Sequence, residues 1–450
     1  MIKEGSNYNF NSSEKQVKKL WEENNYFKKL VDKNKNGRRF RFLDGPITAN
    51  NAMGVHHAFG RTIKDITIKY NSMKGCSCQF QNGFDAQGLW VEVEVEKQLG
   101  FKDKRDIREY GLDNFTNACM DRVNKFAGVI TNQSKALGQW MDWDNSYFTN
   151  TDDNILGIWH FLKKCDENGW IAKKHRVMSW CPRCGTSLSE HEMTGSYSEV
   201  TCESVFFKLP LIEEEADILV WTTTPWTLTS NAAVAVNPEL EYAYVKVKST
   251  SRLLICCKSA LGVLKGDKDE IVKVVGGSEL LGKTYNTCFP EFESQQFIHK
   301  IIPWEEVNSM EGTGLVHIAP GCGAEDYELG LIHDIPPICP INESGIILEE
   351  FGDFAGKSTS EVAEDIFNEL KKRNKLYYVM DYTHNYAHCW RCKTDIVFKL
   401  VDEWYISTDE IRPKLLAAVD TVEWQPKHSK KTLQTKNTGE ITFQMMWLSK

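Results

Sequence analysis

The sequence predicts an α/β fold that is interrupted by a β-rich insertion, and three observations lead to this expectation. Residues 39–73 have the pattern of a strand, a glycine-bearing turn and a helix. Two Cys-x-x-Cys pairs begin at positions 181 and 389. Between them, over 200–385, β-branched and aromatic runs are separated by Pro, Gly and Asn turns, a pattern that favours a compact β-barrel.

The composition is that of a globular protein. At 450 residues the chain exceeds one ordinary core, so two or three domains are expected. No apolar run is long enough to span a membrane, and the first residues lack the apolar centre of a signal peptide. A cytoplasmic protein without membrane contact is therefore expected. The net charge of -8 argues against a generally basic nucleic-acid coat, although a local basic patch would suffice for phosphate contacts.

These patterns divide the chain into four segments. Residues 1–40 are predicted to form a helical extension. Residues 41–198 would be the first part of the α/β domain and include the first cysteine pair. Residues 199–385 would be the insertion, and residues 386–450 would carry the second pair and return to the α/β domain.

Three stretches carry more local expectations. The extension should be an amphipathic helix with Ser12 or Ser13 as its N-cap. Residues 90–96 alternate between apolar and charged side chains, which favours a strand, but 97–100 resemble a helix end, so both structures stay open. Residues 103–170 have helical character. The apolar residues expected to pack in these stretches are Val17, Leu20, Trp21, Leu30, Trp140, Trp143, Trp159 and Phe161.

The turn before the first long helix is a candidate phosphate site. Backbone N–H groups at a helix start, together with the positive end of the helix dipole, favour an anion. His56 and His57 follow Gly54 at this point and could add side-chain donors. However, glycine marks many ordinary turns, and a histidine at a helix start is more often a cap or a surface residue. The turn alone is therefore a weak signal.

A carboxylate, Asp85, lies at the end of the second predicted strand, in a glycine-flanked turn. Beside a phosphate site at the carboxyl edge of a parallel sheet, it could hold the ammonium group of a substrate. An aspartate that bonds its own backbone in a turn is the more common case, and the segment alone favours it.

The two cysteine pairs are Cys181 with Cys184, and Cys389 with Cys392. Each has the spacing of a zinc knuckle, and two such pairs complete a four-sulfur site. Their wide separation means that either the pairs are unrelated or a whole domain is inserted between them. A redox dithiol is the rival interpretation, but two pairs, each with arginine before the second cysteine, favour structural zinc.

Two segments of the insertion look too polar or glycine-rich to be scaffold only. Residues 221–227 offer a row of hydroxyl groups, and residues 312–327 contain His317 and Asp326. Hydroxyls, a histidine and a carboxylate could order a water molecule and hold an ammonium group. Equally, the threonines could serve strand formation, and His317 could be a core residue with satisfied hydrogen bonds.

Together these segments resemble the class I aminoacyl-tRNA synthetases, and most closely the isoleucyl members, over nearly the whole chain. In valyl and leucyl members an Arg-Pro typically stands where this chain has Thr224-Pro225, which makes the isoleucyl resemblance specific. The motifs that carry it are Asp44-Gly45-Pro46, Asp85-Ala86-Gln87-Gly88-Leu89, Trp180-Cys181-Pro182-Arg183-Cys184, Trp221-Thr222-Thr223-Thr224-Pro225-Trp226-Thr227, Gly314-Leu315-Val316-His317-Ile318-Ala319-Pro320, His388-Cys389-Trp390-Arg391-Cys392 and Glu403-Trp404-Tyr405-Ile406-Ser407.

The resemblance implies a Rossmann catalytic domain, interrupted by an editing barrel and accompanied by a zinc knuckle. It implies a monomer that activates isoleucine with ATP and Mg²⁺, transfers it to tRNA(Ile), and hydrolyses mischarged valyl-tRNA. Asp85 would bind the amino group of isoleucine, and Asp326 that of the mischarged valine. The implied site residues are Gly45, Pro46, Asn50, Gly54 and Asp85 for amino acid and ATP, His56 and His57 for catalysis, Thr222, Thr223, Thr224, Trp226, His317 and Asp326 for editing, and Cys181, Cys184, Cys389 and Cys392 for zinc.

This sequence departs from the family in three places. The family's His-x-Gly-His signature falls on residues 54–57, so Gly54 replaces the first histidine and His57 keeps the second, with His56 as a candidate substitute. Gln87 stands where a histidine is usual. No Lys-Met-Ser-Lys-Ser loop occurs before Lys450, so an incomplete chain without ATP-pyrophosphate exchange is expected. The alternatives are an editing or tRNA-binding module and an inactive paralogue.

Overall fold

The computed structural model describes residues 9–102, 104–248, 251–265, 268–309, 311–431 and 443–444. Lys450, before which no Lys-Met-Ser-Lys-Ser loop occurs in the sequence, lies outside these residues. The chain divides into two compact units, Met1–Lys164 and Cys165–Lys450. Among the described residues, no helix combines the length and the apolar character that crossing a membrane requires.

Helices alternate with short strands in the first unit. In chain order the elements are α1 (Phe10–Glu23), α2 (Tyr26–Asn34), β1 (Arg39–Phe40), β2 (Ile47–Thr48), α3 (Val55–Met73), β3 (Ser77–Cys78), β4 (Gln81–Asp85), α4 (Leu89–Leu99), α5 (Arg105–Tyr110), α6 (Leu112–Ala136), β5 (Asp142–Phe148) and α7 (Asp152–Glu167), whose last turn passes the boundary.

A parallel sheet of order β2-β4-β5 brings the carboxyl ends of three strands to one edge. Thr48 and Asp85 are paired in register there, and Thr149 directly follows β5. Phe84 of β4 and Ile130 of α6 are buried in the same hydrophobic cluster. Asp85 therefore lies at the edge where open parallel sheets commonly bind their ligands.

Residues 90–96 belong to the helix α4, so their alternation does not reflect a strand. Helix packing buries three valines at alternate positions: Val91, Val93 and Val95. The acidic residues that alternate with them are paired: Lys104 Nζ lies 2.7 Å from the Glu92 carboxylate and 2.6 Å from that of Glu96, and Lys97 Nζ lies 2.9 Å from that of Glu94. Paired in this way, Glu96 can be fully buried despite its charge.

Several local expectations for the first unit were wrong. Asn9 is the N-cap of α1, since its Oδ1 accepts the N–H of Ser12 at 3.1 Å, so neither Ser12 nor Ser13 caps the helix. The stretch 103–170 is not wholly helical, because it includes β5. Trp159 and Phe161 are each 55% exposed instead of lying in a core.

Apolar periodicity indicates which residues share a face of a helix, but it does not show that another element covers that face. Val17 and Leu20, on the predicted apolar face of the extension, are exposed for this reason. Trp140 and Trp143 do pack against a small core cluster, as expected.

Strands dominate the second unit. In chain order its elements are β6 (Ile171–Cys181), β7 (Thr186–Ser187), α8 (Glu190–Met193), β8 (Tyr197–Pro210), β9 (Ala216–Thr222), β10 (Ala233–Val236), β11 (Glu241–Val247), β12 (Leu253–Cys257), β13 (Lys268–Gly276), β14 (Lys300–Pro303), β15 (Val316–Ile318), α9 (Ala324–His333), α10 (Ala363–Lys372), β16 (Leu376–Ala387), β17 (Val397–Ile406), α11 (Arg412–Asp420) and β18 (Phe443–Gln444).

Strands β8 to β16 form one mixed sheet with the order β13-β11-β12-β9-β15-β10-β14, and β8 joins β9 to β16. Strands β9 and β15 are parallel neighbours, with Trp221 opposite Val316. Their carboxyl ends therefore meet at one edge. The segment 222–230, called the threonine turn below, begins at the last residue of β9 at that edge, and Ala319 follows β15. The β-rich character of the insertion is thus observed, while its closure into a barrel stays a prediction.

Two antiparallel ribbons connect this sheet to the rest of the second unit. Strand β6 pairs with β17, and β8 pairs with β16. The predicted insertion, residues 199–385, lies between β6 and β17 in the sequence. Most of its buried apolar side chains belong to one large hydrophobic cluster, in which Phe207, Ile218, Phe289 and Phe351 are fully buried, and a smaller cluster includes Ala233 and Ile318.

Candidate functional site

Four cysteine sulfurs lie together in the second unit. The Sγ atoms of Cys181 and Cys392 are 3.5 Å apart, and those of Cys184 and Cys389 are 3.9 Å apart. All four lie within 4.8 Å of one another. Since Zn–S bonds are about 2.3 Å long, a tetrahedral zinc ion separates its sulfurs by about 3.8 Å. The four sulfur positions therefore fit one tetrahedral zinc ion.

The two Cys-x-x-Cys pairs have the same backbone turn. The N–H of Gly185 donates to the carbonyl of Cys181, and that of Lys393 to the carbonyl of Cys389, both at 2.8 Å. Gly185 and Lys393, each directly after the second cysteine of its pair, have φ values of 62° and 66°. A lysine rarely adopts this left-handed conformation. The two turns therefore have the same conformation, as expected if they are equivalent halves of one metal site.

The cysteine cluster lies where the insertion begins and ends. Cys181 is the last residue of β6, and Cys389 follows β16 by two residues. Cys181, Cys184 and Cys389 are buried, while Cys392 is partly exposed. A metal bound here would join segments that are distant in sequence at the junction of the two ribbons.

The threonine turn is a compact hydrogen-bonded structure. The N–H of Thr224 donates to Oγ1 of Thr222 at 3.1 Å, and the two hydroxyl oxygens are 3.2 Å apart. Thr222 is buried, whereas Thr223 and Thr224 are partly exposed. Trp226, which the resemblance places in the editing pocket, is 6% exposed and belongs to the large hydrophobic cluster.

His317 is buried on β15 with both ring nitrogens engaged. Its Nε2 lies 3.0 Å from Oγ1 of Thr227, and its Nδ1 lies 2.7 Å from Nδ2 of Asn231. Burial lowers the pKa of His317 to about 4, although the contact with Thr227 opposes this shift. At neutral pH the ring is therefore uncharged and held by its partners, which makes it unsuited to act as a free base.

Asn231 and Tyr285 belong to the same buried network and were missed in the sequence. Asn231 is completely buried, and the hydroxyl of Tyr285 donates to its Oδ1 at 2.9 Å. An asparagine between Ser230 and Ala232, just before a buried strand, was the only local signal. Tyr285 is 54 residues away in sequence, so no local pattern could have linked the two.

Asp326 lies in the first turn of α9, and its Oδ2 accepts the N–H of Ala319 at 2.7 Å. Burial raises the pKa of this carboxyl to about 6, the hydrogen bond from Ala319 opposes the shift, and the charge of Glu325 adds to it. A Cβ at Gly323 would lie 2.9 Å from Cγ of Asp326, so glycine allows the carboxylate to fold back. Ala319 follows β15, and its hydrogen bond therefore anchors Asp326 near the edge that carries the threonine turn.

Asp85, in the first unit, is held by two threonine hydroxyls. Oγ1 of Thr48 donates to Oδ2 at 3.1 Å, and Oγ1 of Thr149 donates to Oδ1 at 3.3 Å. Thr149 is itself oriented by the N–H of Ala86, which donates to its Oγ1 at 2.9 Å. The carboxylate is partly exposed, and each oxygen keeps capacity to accept from a ligand. Asp85 is therefore held by side chains at the ends of two neighbouring strands, and not by the backbone of its own turn alone.

The start of α3 places His56 and His57 side by side, with ring centroids 3.8 Å apart. Nδ1 of His57 accepts the N–H of Gly54 at 3.1 Å, so His57 caps its own helix. Desolvation of the ring, with the nearby His56 and Arg61, lowers the pKa of His57 and so favours the neutral ring that accepts this bond. The retained family histidine thus has a structural role at the helix start.

The remaining predicted residues of the first unit differ in accessibility. Gly45 is exposed and Pro46 partly exposed in the loop before β2. Asn50 is 5% exposed, and its carbonyl accepts Nε of Arg122 at 2.9 Å. Asn50 therefore fixes the loop to α6, whereas Gly45 and Pro46 remain open to a ligand.

The sequence matches a known protein family along most of its length. The family model of tRNA synthetases class I (I, L, M and V) matches residues 16–440. The chain therefore belongs to the class I tRNA synthetases, and the resemblance predicted from its motifs is confirmed.

Among curated relatives the named activity is isoleucine–tRNA ligase. The protein of Thermococcus kodakarensis is 37% identical over 460 residues, which cover 98% of this chain and 43% of that protein. The protein of Methanothermobacter thermautotrophicus is 35% identical over 416 residues, covering 92% of this chain and 39% of that protein. This chain spans less than half the length of these relatives.

Two solved structures of leucyl members are also similar. GlLeuRS-CP1 has a TM-score of 0.33 and 16% identity, over 39% of this chain and 99% of that chain. The Agrobacterium radiobacter K84 agnB2 LeuRS-tRNA-LeuAMS complex has a TM-score of 0.35 and 13% identity, over 88% and 52%. Family membership rests on the sequence matches.

Proposed function

We propose that this chain serves the ligation of isoleucine to tRNA(Ile) with ATP and Mg²⁺, and that its insertion hydrolyses mischarged valyl-tRNA. The proposal is supported by two carboxylates: Asp85 ends a parallel strand in the first unit, and Asp326, in the first turn of α9 in the second unit, accepts the N–H of the residue that follows β15. An α-ammonium group is common to free amino acids and to aminoacyl esters. Each carboxylate is therefore placed to bind the same group in a different reaction.

In the activation reaction Asp85 would bind the ammonium group of isoleucine. Its threonine donors, Thr48 and Thr149, hold the carboxylate in position before the ligand arrives. Preorganisation of this kind keeps the amino acid's carboxylate aligned for attack on the α-phosphate of ATP. Gly45 and Pro46 would line this site, and His56 would approach the phosphates from the start of α3.

A second reaction is needed because isoleucine and valine differ by one methylene. A hydrophobic pocket favours the larger of two such amino acids by only about 1–3 kcal/mol, and isoleucyl synthetases are the standard example of this limit. A hydrolytic site that admits valine but excludes isoleucine supplies the remaining selectivity.

In the hydrolytic site Asp326 would hold the valyl ammonium, and the hydroxyls of Thr223 and Thr224 would orient a water molecule. The water oxygen forms a bond with the ester carbonyl carbon, the ester C–O bond breaks, and the water proton passes to the departing 3′-terminal ribose oxygen. Because both nitrogens of His317 are engaged, the geometry supports a positioning role for His317 rather than proton abstraction.

Zinc would be bound by Cys181, Cys184, Cys389 and Cys392. Their sulfur separations fit a tetrahedral ion, as described above. A four-cysteine set leaves no open coordination position, so the metal would support structure and take no part in either reaction.

A deacylase or tRNA-binding module without ligase activity is the alternative function. It is favoured by the helix start of α3, where Gly54 lacks a side chain and His57 is engaged as a cap. ATP-pyrophosphate exchange distinguishes the two, because only the ligase forms an aminoacyl adenylate.

The experiment that tests editing is hydrolysis of valyl-tRNA(Ile) by the full chain and by Asp326→Ala. We expect a loss of about a hundredfold or more in the variant, because the ammonium group loses its charged partner. Glu325→Ala is the matched control, since Glu325 is an exposed carboxylate in the same helical turn. Equal rates for Asp326→Ala and the wild type would contradict the assigned role.

A further inference from the structure

A row of buried polar side chains leads from Tyr285 to the threonine turn. The hydroxyl of Tyr285 meets Asn231, whose amide meets Nδ1 of His317, and Nε2 of His317 meets Thr227. Thr227 donates to the carbonyl of Thr224 at 2.8 Å. The first four residues are each 8% exposed or less, so the hydrogen bonds among them are shielded from water.

The direction of each hydrogen bond follows from the one before it. The Tyr285 hydroxyl donates, so Oδ1 of Asn231 accepts. Nδ2 of Asn231 donates to the carbonyl of Ala233 at 3.1 Å and also faces His317. Nδ1 of His317 must then accept. In a neutral imidazole the proton is therefore on Nε2, which donates to Thr227.

We propose that Tyr285 is a positioning residue for the editing site: by fixing the Asn231 amide, it holds His317 as the Nε2–H tautomer and so keeps the threonine turn closed. This inference rests on the editing function proposed above. Tyr285 acts only through its neighbours and does not itself contact the proposed substrate.

Reversal of the amide shows why its orientation matters. With Oδ1 of Asn231 toward the ring, Nδ1 of His317 would carry the proton and Nε2 would become an acceptor. The hydroxyl proton of Thr227 would then turn toward His317 and leave the carbonyl of Thr224. That carbonyl bond closes the turn on which the Thr224 hydroxyl is held, so the proposed water-binding group would lose its fixed position.

Two contacts hold the amide, the Ala233 carbonyl and the Tyr285 hydroxyl. Without the hydroxyl, Oδ1 of Asn231 would be buried without its donor, which removes the advantage of the observed orientation. Tyr285→Phe is thus the variant that separates the two contacts. Tyr242→Phe is the matched control, because Tyr242 is also fully buried in the insertion and donates its hydroxyl proton to Gly314, away from Asn231.

The test measures the ¹⁵N and ¹³Cδ2 shifts of the full chain labelled in histidine, with His317 assigned through His317→Gln. We expect the Nε2–H form alone in the wild type and in Tyr242→Phe, and a mixture of tautomers in Tyr285→Phe. Hydrolysis of valyl-tRNA(Ile) by Tyr285→Phe should fall about tenfold in kcat with little change in KM, as expected for one lost hydrogen bond.

Three outcomes overturn the proposal. An Nδ1–H form in the wild type contradicts the assigned direction of the row, even if Tyr285→Phe does not fold. A pure Nε2–H form in Tyr285→Phe shows that Ala233 fixes the amide alone. Equal kcat values for Tyr285→Phe and Tyr242→Phe show that the turn does not depend on Tyr285. If the wild type does not hydrolyse valyl-tRNA, the proposed editing function fails, while the tautomer measurement still decides the inference.

Discussion

The two candidate sites differ in how their residues are held. In the insertion, His317 and Asn231 are buried and hydrogen-bonded to each other, and the neighbouring Ala232 and Ile318 belong to a buried hydrophobic cluster. In the first unit, His56, His57 and Gly45 are exposed, and the apolar side chains form several small clusters. The insertion therefore fixes its site by its own packing, whereas the first unit presents its residues at a surface.

Helix α3 shows the same contrast at the level of one element. Its sequence carries apolar residues three or four positions apart, a spacing that places them on one face of the helix. On α3 these residues are exposed: Val55, Phe59, Ile63, Ile66, Tyr70 and Met73. An amphipathic pattern thus indicates a face capable of packing, but the described neighbours decide whether that face is covered.

The largest expected effect concerns the junction of the insertion. Cys389→Ser should reduce the metal content from about one zinc per chain to near zero, since three thiolates bind the ion less tightly than four. The thermal unfolding midpoint of the insertion should fall by about 10 °C or more. Metal analysis and calorimetry measure the two effects.

Cys202→Ser is the control for the zinc prediction, because Cys202 is a partly buried cysteine of β8 outside the cluster. It should retain the metal. If Cys389→Ser also retains a full zinc ion, the four cysteines do not form one site, and the contrast between a fixed insertion and an open first unit loses its main structural element.

A smaller effect is expected from Asp326→Asn. The carboxyl has a pKa of about 6 in the folded chain and 3.8 as its ordinary value, so the folded state binds more protons between these values. Stability should therefore fall as the pH rises from about 4 to 6, by at most about 3 kcal/mol. Asparagine cannot ionise, so the variant should be more stable than the wild type at pH 8 and similar to it at pH 4.

Chemical denaturation at the two pH values measures this difference. If the stability of the wild type and that of Asp326→Asn depend on pH in the same way, burial does not raise the pKa of Asp326. The variant should at the same time lose hydrolysis of valyl-tRNA, because its amide carries no charge. A gain in stability with a loss of activity is the expected property of a site whose charge is held against its environment.

The smallest effect is expected in the first unit. His57→Ala should lower the free energy of unfolding by about 1 kcal/mol, because the N–H of Gly54 loses its acceptor at the start of α3. Since the pKa of His57 is lowered in the folded chain, this contribution should be present above about pH 6.5 and decline as the pH falls below it. Hydrogen exchange at residues 54–58 reports it.

His56→Ala is the comparison, since the neighbouring ring does not accept the N–H of Gly54. It should leave the protection of α3 nearly unchanged. Equal losses of protection in the two variants would show that ring contact, rather than capping, is the role of His57.

The sequence predicted the features that depend on local spacing. The helix predicted at the end of residues 39–73 is present as α3, Asp85 ends a parallel strand, and the four cysteines converge although their pairs are far apart. Cysteine spacing is informative because it reflects the geometry of a metal, which does not vary with the surrounding fold.

The features that the sequence did not predict depend on contacts between distant residues. The alternation around Val93 left a strand and a helix both open, and the ion pairs that Lys104 makes with Glu92 and Glu96 lie outside that pattern. Trp159 was expected in a core as an apolar residue of a helical stretch, but it is 55% exposed, because among the described residues no element covers it. Tyr285 could not be assigned to the editing network before the fold placed it against Asn231.

The central proposal is that the insertion contains a hydrolytic site whose residues are held in place by the packing of the insertion itself. It is tested most directly by incubating the wild-type chain with valyl-tRNA(Ile) and, separately, with isoleucyl-tRNA(Ile). We predict catalytic release of valine, with isoleucyl-tRNA hydrolysed at the spontaneous rate. Spontaneous rates for both substrates, or equal catalysis of both, would contradict the claim.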